Sequence, residues 1–304
     1  MPMTTPAECW ATLRQLLAAL AGQYRDDFRS AVIAADMGRE PVGVLLHAGD
    51  IDPRPMTAAD LLRCVPYYSE LSFTGPMEKL AQGGWLVLAG RDTYRLTAKG
   101  RAATDSIYAA ARGRLASLSP LAPADMERLA ELLRALMEAC RASASVPDQA
   151  CVAASGNAGP YGEASPLAYA ARAIETLTNF RCDAHRLAWR PCGVDGPTWE
   201  TLSWLREGRA DSAASLHEWA QKQPHRRDFS PEVYARRLDV LIERGWVTAG
   251  ADGHDTVAEA GRRQWQEVED KTDSLFYEPW AALSADEVVE LDARAKAVLA
   301  GLMS

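Results

Sequence analysis

Residues 230–247 read SPEVYARRLDVLIERGWV. A hydroxyl residue, a proline and an acid open the run, the order that starts a helix. Tyr234, Leu238 and Leu241 then recur on one face until Gly245 stops them. Trp246-Val247-Thr248, the turn residues after it and Thr256-Val257-Ala258 predict strand, turn and strand. Upstream, Ile174, Leu177, Phe180, Ala184, Leu187 and Ala188 keep helical spacing within 167–190, and Gly193 closes that helix. A second helix runs from Pro197 through Trp199, Leu202 and Leu205 to Gly208, and a short third starts at Ser212. Downstream, one helix is expected from Glu259 to about Glu278 and another from Ala285 to Leu302, capped by Ser284. Four helices, a two-stranded wing and two helices is the order of a winged helix-turn-helix with long flanking helices.

The order occurs twice. With Gly84-Trp85 set on Gly245-Trp246, an offset of 161, Leu80 falls on Leu241, Gly100-Arg101 on Gly261-Arg262 and Ala124-Asp125 on Ala285-Asp286. Upstream the offset is 156, with Arg25 on Arg181, Asp27 on Asp183, Pro41 on Pro197 and Leu46 on Leu202. The second copy therefore carries five extra residues (161 against 156), expected in the loop KQPHRRDF, 222–229. Residues 142–166, rich in Ala, Ser, Gly and Pro, read as a flexible linker between a first unit, 1–141, and a second, 167–304.

A chain of 304 residues with 48 % hydrophobic and 24 % charged side chains can bury a core, which excludes wholesale disorder. Its formal net charge of −8 argues against attachment to nucleic acid by bulk positive charge, though not against a local basic patch. Residues 1–141 hold 16 basic and 16 acidic side chains, so the whole excess of acid lies in the second half. No secretory leader or membrane span is legible, and the six cysteines form no C-x-x-C pair; a cytoplasmic protein with reduced thiols is expected. The five histidines form no ligand cluster, and neither a nucleophile elbow nor a phosphate-binding glycine loop occurs. Neither an enzyme nor a metal or other cofactor is expected.

Three stretches of the second copy, GPTWETLSWLREG (196–208), SPEVYARRLDVLIERGWV (230–247) and the terminal pair EAGRRQWQEVEDK with LSADEVVELDARAKAVL, resemble the multiple-antibiotic-resistance-regulator (MarR) family of winged-helix transcription factors. The first copy resembles it through EKLAQGGWLVL (78–88), YRLTAKGRAATDSI (94–107) and LAPADMERLAELLRALME (121–138). In that family two chains pair through their terminal helices. The resemblance thus implies a mainly α fold with small β wings, two winged helix-turn-helix units forming an intramolecular pseudo-dimer within a monomer. The expected partner is double-stranded DNA carrying an imperfect palindrome, with half-sites about 34–36 Å apart.

Candidate DNA-binding residues are Ser230, as the cap of the reading helix, with Arg226, Arg227, Arg236 and Arg237 in the second unit, and Lys79, Arg91 and Arg95 in the first. Segment 222–244 holds six Lys/Arg against four acids, a locally positive stretch in an acidic half. Two readings of Arg236 and Arg237 stand: contacts to guanine edges or phosphates, or a solvated face paired with neighbouring acids such as Asp239. The second wing carries Asp252 and Asp255 instead of a basic tip. The first unit has Gly75-Pro76 where the second has Arg236-Arg237, and proline inside a helix removes a hydrogen bond and kinks it.

Ligands of the family often bind between the pairing helices and the winged domain. By resemblance, a cleft lined by Trp189, Trp199, Trp204, Trp280, Phe28 and Tyr24, with His185 orienting a polar group, takes a small aromatic effector. The alternative is that these rings fill the core and His185 packs between helices. A second function class also stands: a winged-helix protein that has lost DNA binding and serves as a small-molecule binder or protein-interaction module.

Overall fold

The computed structural model describes residues 4–37, 41–154, 165–223, 227, 229–251 and 253–303. The first half holds α1 (Pro6–Ala34), α2 (Val42–Ile51), α3 (Ala58–Cys64), α4 (Leu71–Gln82), the hairpin β1 (Leu86–Gly90) and β2 (Thr93–Leu96), α5 (Ala98–Ala116) and α6 (Pro123–Arg141). A short α7 (Ala150–Ala154) follows. Then come α8 (Pro166–Trp189), α9 (Gly196–Arg206), α10 (Ala213–Lys222), α11 (Pro231–Glu243), the hairpin β3 (Val247–Thr248) and β4 (Thr256–Val257), α12 (Glu259–Tyr277) and α13 (Ala285–Met303). Two of the start signals act as read, Ser212 capping α10 and Ser284 closing a reciprocal cap with Glu287 on α13; Ser165 and Asp195 accept the first free N–H groups of α8 and α9 in the same way.

The two winged segments share local geometry. Trp85 N–H donates to the Leu80 carbonyl and Trp246 N–H to that of Leu241, each at 2.9 Å, as the helix turns into the hairpin. A Cβ on Gly100 would overlap the Trp85 carbonyl oxygen, and one on Gly261 that of Trp246, so both helices that leave the hairpins start against the strand backbone through a glycine. Both hairpins are antiparallel two-stranded sheets, with Leu86 opposite Leu96 in one and Val247 opposite Val257 in the other. The extra length of the second copy is not confined to the loop. The start of α10 trails that of α3 by 155 residues and the start of α11 that of α4 by 160; α10 itself is ten residues long and α3 seven.

Three buried clusters hold the chain. One lies within the first winged segment, around Leu45, Met56, Met77, Leu80 and Ile107. A second lies within the other, around Trp199, Leu202, Leu216, Tyr234 and Leu241. The largest is shared by the long helices of both halves, including Leu13, Leu16, Leu133, Leu136, Ile174, Phe180, Phe276, Leu291 and Val298. Within it α1 packs on α5 and on α13, while α8 packs on α12 and on α6. Buried polar bonds join the ends of the chain, with the Thr12 hydroxyl donating to Asp292 at 2.6 Å. Arg294 pairs with Asp125 at 2.6 Å, fixing α13 to α6.

Two local expectations change. Helix α4 runs through Gly75-Pro76 as one element; with Phe73, Met77 and Leu80 buried, tertiary packing outweighs the lost hydrogen bond. The segment read as a flexible linker is built into the fold over 142–154: Val146, Ala150, Cys151 and Val152 are buried, and α7 packs on α8. Residues 155–164 of that segment lie outside the described ones.

The reason is a buried ion pair on α8. Asp183 is 0 % exposed and Arg186 2 %, with 3.0 Å between Oδ1 and Nη2. Asp183 accepts the Cys151 and Val152 N–H groups at 3.0 Å each. Arg186 donates to the Arg63 carbonyl and, at 2.8 Å, to that of Asp148. Burying two charges costs several kcal/mol each unless their remaining bonds are filled, and the backbone of 148–152 and the end of α3 fill them. Asp183→Ala strips the Cys151 and Val152 N–H groups of their acceptor and leaves the buried Arg186 only the half-exposed Asp148 carboxylate, 3.2 Å away, and is expected to cost about 3 kcal/mol. The measurement is a lower urea midpoint; Asp183→Asn, which keeps an acceptor for the two N–H groups, is expected to lose less.

Candidate nucleic-acid interface

Helix α11 presents the segment expected to read DNA. Its apolar face, Tyr234, Leu238 and Leu241, is buried, and Arg236 points the other way, exposed and without a hydrogen bond or ion pair among the described residues. The Arg236–Asp239 pair is not formed. Lys222, at the end of α10, is exposed as well. Ser230 stands at the N-cap of α11, yet its hydroxyl caps no helix N–H; it bonds to Glu232, whose carboxyl is thereby held below its usual range.

The other cations of this stretch are taken into the fold. Arg227 makes a two-pronged bond to Glu200 on α9, at 2.7 and 3.0 Å, and its guanidinium lies 3.7 Å over the ring of Tyr68. Arg237 is only 8 % exposed, stacked 3.7 Å over Phe229, and one of its nitrogens, Nη1, has no hydrogen-bond partner among the described residues. Arg244 donates to the carbonyls of Cys192 and Gly193 at 2.6 Å and lies over Trp246. A planar, weakly hydrated guanidinium satisfies both aromatic faces and carboxylates, which is why arginine disappears into such sites. Of the residues singled out in sequence, Arg227 and Arg237 therefore serve packing, and Arg226 lies outside the described residues.

The second hairpin is folded back on the body. His254 Nδ1 pairs with Asp211 at 2.8 Å, and the Asp255 N–H donates to the Asp211 carbonyl at 2.6 Å. Asp252 lies outside the described residues. In the first half Lys79, Arg91 and Arg95 are all exposed, and Arg91 stands 3.8 Å from Asp92. On the same hairpin Val87 and Leu88 are 51 % and 59 % exposed.

The turn between α3 and α4 is docked on the second half. Besides the Arg227–Tyr68 stack, the rings of Tyr67 and Trp189 lie 6.3 Å apart, and a Cβ on Gly196 would overlap the Pro66 carbonyl oxygen.

A helix-turn-helix family model matches residues 149–304, from α7 to the end of the chain. The chain belongs to this helix-turn-helix family. No curated protein and no solved structure matches it. In this helix-turn-helix protein the matched region contains the exposed Arg236 of α11 and the whole second winged segment. No helix among the described residues is long and apolar enough to cross a membrane.

The aromatic residues expected to line one cleft are distributed over all three clusters. Trp189 and Trp199 are buried and Trp204 partly buried in the second winged core, Trp280 is buried in the shared core with Tyr24 against it, and Phe28 packs on the first winged core. Trp199 Nε1 donates to His185 Nε2 at 3.3 Å, which leaves Nδ1–H to face Thr272 Oγ1 at 3.1 Å. His185 is thus a bonded packing residue. A cavity of about 420 Å³ instead borders Ile51, Pro53, Arg54 and Ala153, between the α2–α3 connection and α7. Sequence reading also passed over a half-buried polar group of Asp50, Arg172 and Glu175 around the buried Tyr108, whose hydroxyl donates to Asp50 at 2.9 Å. The signal was there in α8, whose apolar face is interrupted by charges at 172, 175, 183 and 186.

Burial pushes the His185 pKa down to about 4. Glu269, 3.4 Å from Nδ1, offsets little of this because Arg181 already engages it. The unfolded chain therefore takes up a proton near 6.5 and the folded one near 4, so this residue lowers stability as pH falls through that window, by up to about 3 kcal/mol. His47, pushed down to about 4 by burial, acts in the same sense. Asp50 and Glu175, pushed up to about 6 by burial, act in the opposite one. The His185 contribution is read as a difference: unfolding free energy from pH 7 to pH 4 is expected to fall less in His185→Gln than in the unmodified protein.

Proposed function

We propose that this protein is a DNA-binding transcriptional regulator whose α11 reads the major groove. Membership of a helix-turn-helix family supports that reading at a coarse level, and the exposed Arg236 on the outer face of α11, with no hydrogen bond or ion pair among the described residues, is the observation that carries it further. The reciprocal packing of α1 on α13 and α8 on α6 supports two MarR-like units, 1–141 and 167–304, pairing as a pseudo-dimer inside one chain. The two halves differ in their reading helices and hairpins, so the operator is an imperfect palindrome, bound by one monomer. A small-molecule effector belongs to the same proposal, with its support now in the cavity beside Ile51 and Ala153.

The test is binding of the purified protein to the DNA upstream of its own gene, titrated against salt. Arg236→Ala is expected to weaken specific binding roughly 5- to 150-fold if the guanidinium meets a base edge. Arg227→Ala is expected to act through stability, seen as a lowered urea midpoint, because Arg227 is bonded to Glu200. No specific binding at about 50 mM salt, where phosphate contacts are strongest, would instead favour a winged-helix protein that binds small molecules or other proteins.

A further inference from the structure

Two cysteines lie against each other's backbone where α3 meets α7, and nothing above uses them. Cys64 ends α3 and Cys151 lies in α7. The Cys151 sulfur is 3.3 Å from the Cys64 carbonyl oxygen, and the Cys64 sulfur 3.5 Å from that of Ala150. Each thiol thus donates to the backbone of the other's helix across the α3–α7 contact. The neighbouring Cys151 thiol holds the Cys64 thiol below the ordinary range, with Arg186 and Arg63 adding to it against burial and the charge of Asp183. The Cys64 thiol and burial push Cys151 up. Cys64 is partly exposed and Cys151 buried. By contrast Cys9 and Cys140 are buried and pushed up to about 12 by burial. An accessible sulfur with thiolate character beside a second, protected thiol is the arrangement that oxidants select.

We propose that Cys64 and Cys151 are a modification site, closing to a reversible disulfide when the protein meets a hydroperoxide. The Cys64 thiolate attacks the peroxide, forming an S–O bond as the O–O bond breaks; the departing oxygen takes a proton and leaves as water or alcohol. The Cys151 sulfur then attacks the Cys64 sulfenic acid. The S–S bond forms, the S–O bond breaks, and the hydroxide leaves as water with the Cys151 proton. Two thiols lose two electrons and one peroxide gains them. The bond would fasten the end of α3, and with it the docked Pro66–Tyr68 turn, to the segment that Asp183 clamps. It depends on these contacts alone and not on DNA binding.

The test is tryptic mapping of the intact chain after stoichiometric hydrogen peroxide, with free thiols alkylated in denaturant. Cleavage isolates Cys64 in peptide 64–79 and Cys151 in peptide 142–172. The expected product is these two peptides joined, lighter by two hydrogens and separated again by dithiothreitol. Oxidised protein should also show a higher urea midpoint than reduced, because the link shortens the free length of the unfolded chain. In Cys151→Ser, dimedone should capture a sulfenic acid at Cys64 on the order of tenfold faster than at Cys140. A link from Cys64 to Cys182, or uptake spread evenly over the six cysteines, overturns the proposal. The mapping needs no variant, so a misfolded Cys151→Ser leaves it decided.

Discussion

Asp183 and Arg186 lie one helical turn apart on α8, both buried, and neither is tolerable there alone. Their pairing does not exhaust their hydrogen-bonding capacity. The groups that complete it come from three separate places: the end of α3 through Arg63, the stretch at Asp148, and the first N–H groups of α7. One charged pair therefore decides where the connecting segment lies and where the first winged segment stops against the second half. The docked turn at Pro66–Tyr68, the Cys64–Cys151 contact and the cavity beside Ala153 all lie along that seam.

The same economy of charge shapes the candidate interface. Arginines that raw counting credits to a basic patch divide into two kinds. Arg227, Arg237 and Arg244 give their planar faces to Tyr68, Phe229 and Trp246, whereas Arg236 alone of the four keeps an exposed head without a partner among the described residues. Aromatic residues near the patch, rather than acids within it, decide which cation remains outside.

Periodicity, caps and order made the helices and hairpins legible in the sequence, because these depend on neighbours within a few residues. Ser212 and Ser284 cap where they were expected to, Ser230 does not, and the glycines at 100 and 261 stand at equivalent turns. What local spacing could not reveal was pairing between distant segments. Arg227 with Glu200, Arg186 with the backbone at 63 and 148, and Trp199 with His185 are each settled by the third dimension. The linker was misread for a related cause: alanine, serine and proline carry no periodic signal, yet small side chains suit a short helix wedged against α8. The aromatic residues divide among three cores of the described residues, a distribution that helical spacing alone does not reveal.

The shared core, in which α1 rests on α13 and α6 on α8, has a consequence for synthesis. A chain emerging from the ribosome presents the apolar face of α1, with Leu13 and Leu16, long before the partner that covers it exists; Thr12 waits for Asp292. The winged segment of the first half can close on its own core meanwhile, since its partners are near in sequence. Of the long helices, α1 can pack on α5 at once, but its contact with α13 must wait until that helix is made; an apolar face left partly uncovered through translation is the kind of surface that aggregates or engages chaperones.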